Sequence, residues 1–164
     1  MKKHRAILQF SFLLLLIFIF SSKVSAQEND VPLFTNNNTL RSTEKNVNKE
    51  LQYYLYDHLK SGVIENGNLK FADPNFKRLY MDVASISSIS NFELSSVESI
   101  IIKVKSLNDL NTRVNYSKTF SSITNLKCIY IDCEIETTKQ QVESMFTNVP
   151  STNILNYFGI NIPQ

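Results

Sequence analysis

The chain has 164 residues, of which 43% are hydrophobic and only three are glycine and two cysteine; 17 basic residues stand against 15 acidic ones. Four of the basic residues (Lys2, Lys3, Arg5, Lys23) precede Ala26 and no acidic one does, so the remainder holds 13 cations against 15 anions. That near-neutral balance, with no run of Lys or Arg, excludes an electrostatic footprint for nucleic acid. Three scattered glycines exclude a Gly-rich phosphate loop.

Residues 1–26 have the three parts of a secretory signal peptide: a cationic start, the unbroken apolar run from Phe12 to Phe20, and small residues before Ala26. Nine residues at ~1.5 Å rise cover about 14 Å of a hydrocarbon core ~30 Å thick, too little for an anchor. Cleavage after Ala26 is expected, with no cysteine following it for lipid attachment. The 138 residues left are enough for one domain with a sizeable core. The expectation is a soluble exported protein, secreted or periplasmic, with no membrane span after cleavage.

Residues 27–41 are polar and aperiodic and read as a flexible lead-in, with Asn36-Asn37-Asn38 in the middle and Val31, Leu33 and Phe34 assigned no docking role. Residues 42–164 form the single domain. It opens on a helix from Ser42 to Leu59: Ser42 and Thr43 offer capping hydroxyls, and Val47, Leu51, Tyr54, Leu55, His58 and Leu59 make one apolar stripe. Gly62 follows as a stop. Val63 to Phe71 reads as a hairpin turning at Asn66-Gly67, where both residues tolerate positive φ.

Two apolar stretches then organise the chain. Leu94, Val97, Ile100 and Ile102 register with Ile123, Leu126, Ile129 and Ile131 at a constant offset of 29. Each stretch is expected to be a strand, Leu94–Val104 and Ile123–Cys133. Phe76, Leu79 and Met81 repeat the pattern 21 residues earlier than Val97, Ile100 and Ile102, with Asp73 at the first position. Ser85–Ser90 reads as a tight crossover. Leu107 to Arg113 forms a short helix ended by Asn115-Tyr116-Ser117, and Thr138 with Gln141 forms a capping box before Val142, Met145 and Phe146. Asn153 to Phe158 is a last strand, aligned on the Ile129 strand at an offset of 26.

Near-continuous apolar strands alternating with short crossovers predict an α/β fold with a parallel sheet. Fixed spacings in this range are a mark of stacked repeats. On Leu94, Val97, Ile100, Ile102, Ile123, Leu126, Ile129 and Ile131, with Phe76, Leu79 and Met81 as a third set, the sequence resembles a leucine-rich repeat protein over about half of the exported chain. Isoleucine and valine mostly replace leucine, and the family's Asn or Cys after the strand falls on Lys105 and Glu134. The resemblance implies a short parallel-sheet repeat stack. The first helix would be its N-terminal cap, since such stacks need their open end covered.

In that stack the residues between core positions form columns: Tyr80, Ile101 and Tyr130, then Asp82, Lys103 and Asp132. The resemblance implies that such a strand face binds a protein partner, and rigidly held tyrosines suit that use. The plainer reading is a solvated charge ladder worth ~0.2–1 kcal/mol per pair. Candidate chemistry is sparse. His58 is the one histidine after Ala26 and would serve as a base for Cys128 or Cys133. Cys-x4-Cys with one remote histidine does not make a metal site. Glu134 and Glu136 share a strand face as a conceivable carboxylate pair. Cys128 and Cys133 in one extended strand lie about 16 Å apart against the ~7 Å a bridge allows, so two unbridged thiols on opposite faces are expected. Asn37-Asn38-Thr39 and Asn115-Tyr116-Ser117 match the glycosylation acceptor pattern. The expected function is a non-enzymatic module without cofactor, binding an unidentified protein. The alternatives are a small envelope hydrolase or a structural protein that self-associates through the edge of its last strand.

Overall fold

The computed structural model describes residues 31–33, 44–150 and 154–163. The signal segment, most of the lead-in, the Asn37 acceptor and the Ser42/Thr43 caps lie outside the described residues. The elements are β1 (Val31–Pro32), α1 (Glu44–Tyr56), β2 (Ser61–Glu65), β3 (Asn68–Ala72), β4 (Arg78–Asp82), a 3₁₀ segment (Val83–Asn91), β5 (Ser99–Val104), α2 (Leu107–Leu110), β6 (Val114–Asn115), α3 (Tyr116–Phe120), β7 (Cys128–Cys133), α4 (Lys139–Ser144), β8 (Phe146–Thr147) and β9 (Leu155–Ile160). The fold is mixed α/β. Its main sheet has seven strands in the order β3-β2-β4-β5-β7-β9-β1. The five inner strands are mutually parallel and follow one another across the sheet in chain order; β3 and β1 are antiparallel edges.

The offsets of 21 and 29 are the pairing register: Leu79, Ile100 and Ile129 lie side by side, as do Met81, Ile102 and Ile131. The expected strands are shorter than the repeated pattern. Leu94–Val97 and Ile123–Leu126 are not extended; each closes a turn, with the N–H of Val97 donating to Leu94 O at 3.0 Å and that of Leu126 to Ile123 O at 3.1 Å. Only the alternating half of each repeat is strand, because a step of three turns the chain where a step of two keeps it extended. The entry to each strand repeats too: Lys77 and Arg78 both donate to Lys60 O, Glu98 and Ser99 to Lys77 O, and Lys127 and Cys128 to Glu98 O.

The crossovers share one core with one face of the sheet. Ile86, Ile89, Leu94, Val97, Leu110, Phe120, Ile123, Val142 and Met145 pack with Leu79, Met81, Ile100, Ile102, Val104, Ile129, Ile131, Cys133 and Phe158. β6 and β8 add a second, two-stranded parallel sheet within the crossovers, which the sequence pattern does not announce. The Thr138–Gln141 capping box forms as read. Asn115-Tyr116-Ser117 departs from expectation: it opens α3 rather than ending a helix, with Asn115 Oδ1 accepting from Lys118 N at 3.1 Å, and Tyr116 is buried. The preceding helix stops at Leu110.

Three further differences matter for the site. Gly62 does not stop α1, which ends at Tyr56; it lies within β2, where a Cβ would come within 2.8 Å of the Phe76 ring. His58 is exposed beyond the helix rather than on its apolar stripe. β9 pairs with β7 at an offset of 27, Ile131 opposite Phe158, not 26. One residue of slip exchanges the two faces of a strand. The observed register buries Phe158 in the crossover core and turns Leu155 and Tyr157 to the other side. β9 is also not an open edge, because β1 pairs with it and Leu33, unassigned in the sequence, is buried beside it.

Candidate functional site

The face opposite the crossovers carries every candidate binding residue, arranged as three rows across the strands. The middle row runs Phe71, Val63, Tyr80, Ile101, Tyr130, Tyr157 and Pro32, each paired with the next. The row toward the strand ends is Asp82, Lys103, Asp132 and Gly159, and the row toward the strand starts is Arg78, Ser99, Cys128 and Leu155.

Helix α1 packs on this face of the sheet rather than across one end of it. Leu51, Ile101, Cys128 and Tyr130 make a small buried cluster, with Tyr54, Leu55, Tyr80, Leu155 and Tyr157 partly buried around it. The apolar residues of the middle row make this position favourable, since an uncovered row of Ile and Tyr would leave a large apolar patch in water. Arg78 pins the helix. Its Nε donates to Tyr54 O at 2.7 Å and its Nη2 to Asp57 O at 3.0 Å and Tyr53 O at 3.3 Å. Tyr53 and Tyr54 lie in the last turn of α1 and Asp57 just beyond it, where carbonyls run short of intrahelical donors. A guanidinium with several donors in one plane satisfies them together and places positive charge at the negative end of the helix. No sequence pattern marks Arg78 for this role. Beside it the Ser99 hydroxyl is buried and, among the described residues, the one buried side-chain polar atom without a hydrogen-bond partner.

Of the six candidate residues, Ile101 and Tyr130 are therefore interior, at 6% and 4% exposure, and only Tyr80 of the middle column is half-buried. The charge ladder also differs from expectation. Asp82 lies opposite Lys103 in the sheet but makes no ion pair with it; its carboxylate accepts from the N–H groups of Ser85 and Asn66, each at 3.0 Å, and from the Ser85 hydroxyl. It caps the 3₁₀ segment and holds the β2–β3 turn, where Asn66 and Gly67 both have positive φ as their types allow. Partial burial pushes its carboxyl up, but the hydrogen bonds from Ser85 and Asn66 outweigh that and leave it below the ordinary carboxylate value. The signal was present as Asp82-x-x-Ser85, a side-chain acceptor three residues before its donor. Lys103 turns to Glu134 at 3.0 Å, with Asp132 at 4.0 Å. The Glu134 bond holds its ammonium above the ordinary lysine value against partial burial, which works the other way.

The candidate chemistry is not assembled. His58 is exposed, whereas Cys128 and Cys133 are fully buried on opposite faces of β7 and form no bridge with each other. Burial, then the nearby Asp132 carboxylate, push the Cys133 thiol up to about 12, opposite to what a thiolate nucleophile needs. Glu134 is engaged by Lys103 and Glu136 is exposed. Among the described residues no three metal-ligating side chains converge, and no helix is long and apolar enough to cross a membrane. Sequence reading missed the exposed end of the middle row: all of β3 is exposed, Phe71 at 53% and Leu69 at 47%. Compared with known proteins, the chain matches no family model, no curated protein and no solved structure.

Proposed function

We propose that the protein is a secreted or periplasmic, non-enzymatic module that binds another protein through the helix-side face of a leucine-rich-repeat-like stack. The observation that carries this reading is the middle row of that face. It is apolar from Tyr157 to Phe71, is covered by α1 at Ile101 and Tyr130, and emerges at Tyr80, Val63 and the exposed Phe71. Aromatic anchors on paired strands give contact area at small entropy cost, and the Lys103, Asp132 and Glu134 charges beside them suit a polar rim. Ile101 and Tyr130 act from beneath, seating the helix that borders the site, and Asp82 acts by holding the β2–β3 turn. The leader pattern of residues 1–26 supports export.

The test is capture from envelope and medium fractions of the source cell, comparing wild type with a Tyr80→Ala/Phe71→Ala variant of equal thermal stability. A protein held by the wild type and lost by the variant supports the reading; equal capture by both sinks it. A second reading, self-association, draws on the fully exposed β3 edge rather than on the last strand. A strictly monomeric mass in dilute and concentrated solution would remove it.

A further inference from the structure

On the far side of the sheet a cleft of about 490 Å³ opens between the 3₁₀ segment and the β6–α3 region. Its size falls within the ~300–1,000 Å³ usual for small-ligand sites. The buried side chains of Ile86, Ile89 and Val114 form its floor, and Ser87, Ser90 and Thr119 add hydroxyl groups. Two cations, Arg113 and Lys118, complete the lining, and among the described residues no carboxylate shares it. Among the described residues, Arg113 uses only Nη1, toward Leu110 O at 3.2 Å and Thr112 O at 3.4 Å, and neither cation has a salt bridge.

We propose that this cleft binds a small, water-soluble phosphate monoester. The charge count selects the class. A phosphate monoester carries about −1.5 to −2 near pH 7, which matches two cations where a carboxylate matches one. The unoccupied edge of the Arg113 guanidinium offers the fork that phosphate oxygens accept, and Lys118 supplies a point charge. The surrounding hydroxyls take the remaining oxygens. The cleft is larger than one phosphate group, which leaves room for the organic part of the ester.

The site shares no residue with the proposed protein-binding face, so the two stand or fall separately. The experiment is a two-dimensional amide NMR titration with phenyl phosphate, inorganic phosphate and, at matched ionic strength, sodium chloride. Saturable shifts at Ser87, Ser90, Arg113 and Thr119 are expected with phenyl phosphate, at an affinity at least tenfold above that for inorganic phosphate. Arg113→Gln/Lys118→Gln should abolish saturation, and Arg113→Lys should weaken it less; both residues are exposed, so folding is kept. Shifts that follow chloride, saturation that survives the double variant, or equal affinity for the two phosphates would overturn the proposal. So would flotation with phosphatidic acid vesicles in place of saturation by phenyl phosphate.

Discussion

On the crossover side of the sheet, residues from every inner strand meet residues from every crossover, and Leu79, Ile100, Ile102, Ile131, Val97 and Met145 lie in a continuous interior with no access to solvent. On the other side one helix supplies Leu51 as its single fully buried described side chain, over Ile101, Cys128 and Tyr130. The first face is closed by apolar contact. The second is held by a small apolar cluster and the hydrogen bonds of one guanidinium and, among the described residues, leaves the Ser99 hydroxyl without a partner, at a cost of about 1–3 kcal/mol. Stability is not uniform across a fold, and segments with few buried contacts open first. The helix side is therefore expected to detach while the sheet and its crossovers remain folded.

Cutting into the crossover core should have the largest effect. Ile131→Ala removes a fully buried side chain between Ile102 and Phe158 and should cost about 3–4 kcal/mol in denaturant unfolding, with all probes lost together. A smaller loss confined to one region would mean that the crossover core is not the cooperative unit. Arg78→Met keeps the bulk and deletes the donors to Tyr53, Tyr54 and Asp57; about 2–3 kcal/mol should be lost, local to α1. The two cysteines report this directly, since Cys128 sits under the helix and Cys133 in the crossover core. Thiol labelling of Cys128 should accelerate in the variant while Cys133 stays protected; acceleration of both would erase the distinction between the faces.

The smallest effect tests the seam between the two sides. Asp82→Ala removes the cap of the 3₁₀ segment and the acceptor for the β2–β3 turn, at a cost of about 1 kcal/mol. Because the folded carboxyl lies below its ordinary value of 3.8, its contribution is present at neutral pH and disappears as pH falls through that lowered value. The stability gap between wild type and variant should accordingly narrow in acid below about pH 4. A gap that is unchanged there would mean that the charge of Asp82 is not what the turn requires.

Much of the parallel sheet was legible in the residues. The offsets of 21 and 29 predicted the pairing of Leu79, Ile100 and Ile129 because period-two alternation permits only one parity and the apolar triplets align at one shift. The Asn66-Gly67 turn and the Thr138–Gln141 box were readable because their chemistry is local. β9 was not readable in the same way. Leu155-Asn-Tyr-Phe-Gly-Ile offers an acceptable apolar residue to either face, so its alternation does not choose a register. Tertiary contacts did: Phe158 joins the crossover core, and Asn156 accepts from the Tyr116 hydroxyl at 3.0 Å.

The same division holds for the candidate site. Sequence determined that Tyr80, Ile101 and Tyr130 form one column and Asp82, Lys103 and Asp132 another, because strand spacing and parity are properties of the backbone. Only the tertiary structure decided which of these side chains meet solvent. Helix α1 is an amphipathic segment whose stripe fits any apolar surface, and its position over Ile101 and Tyr130 depends on Arg78, more than twenty residues away, meeting its last carbonyls. Asp82 likewise chose Asn66 and Ser85 over Lys103, because backbone N–H groups brought close by the fold offered it better-directed donors than a lysine that Glu134 already engages.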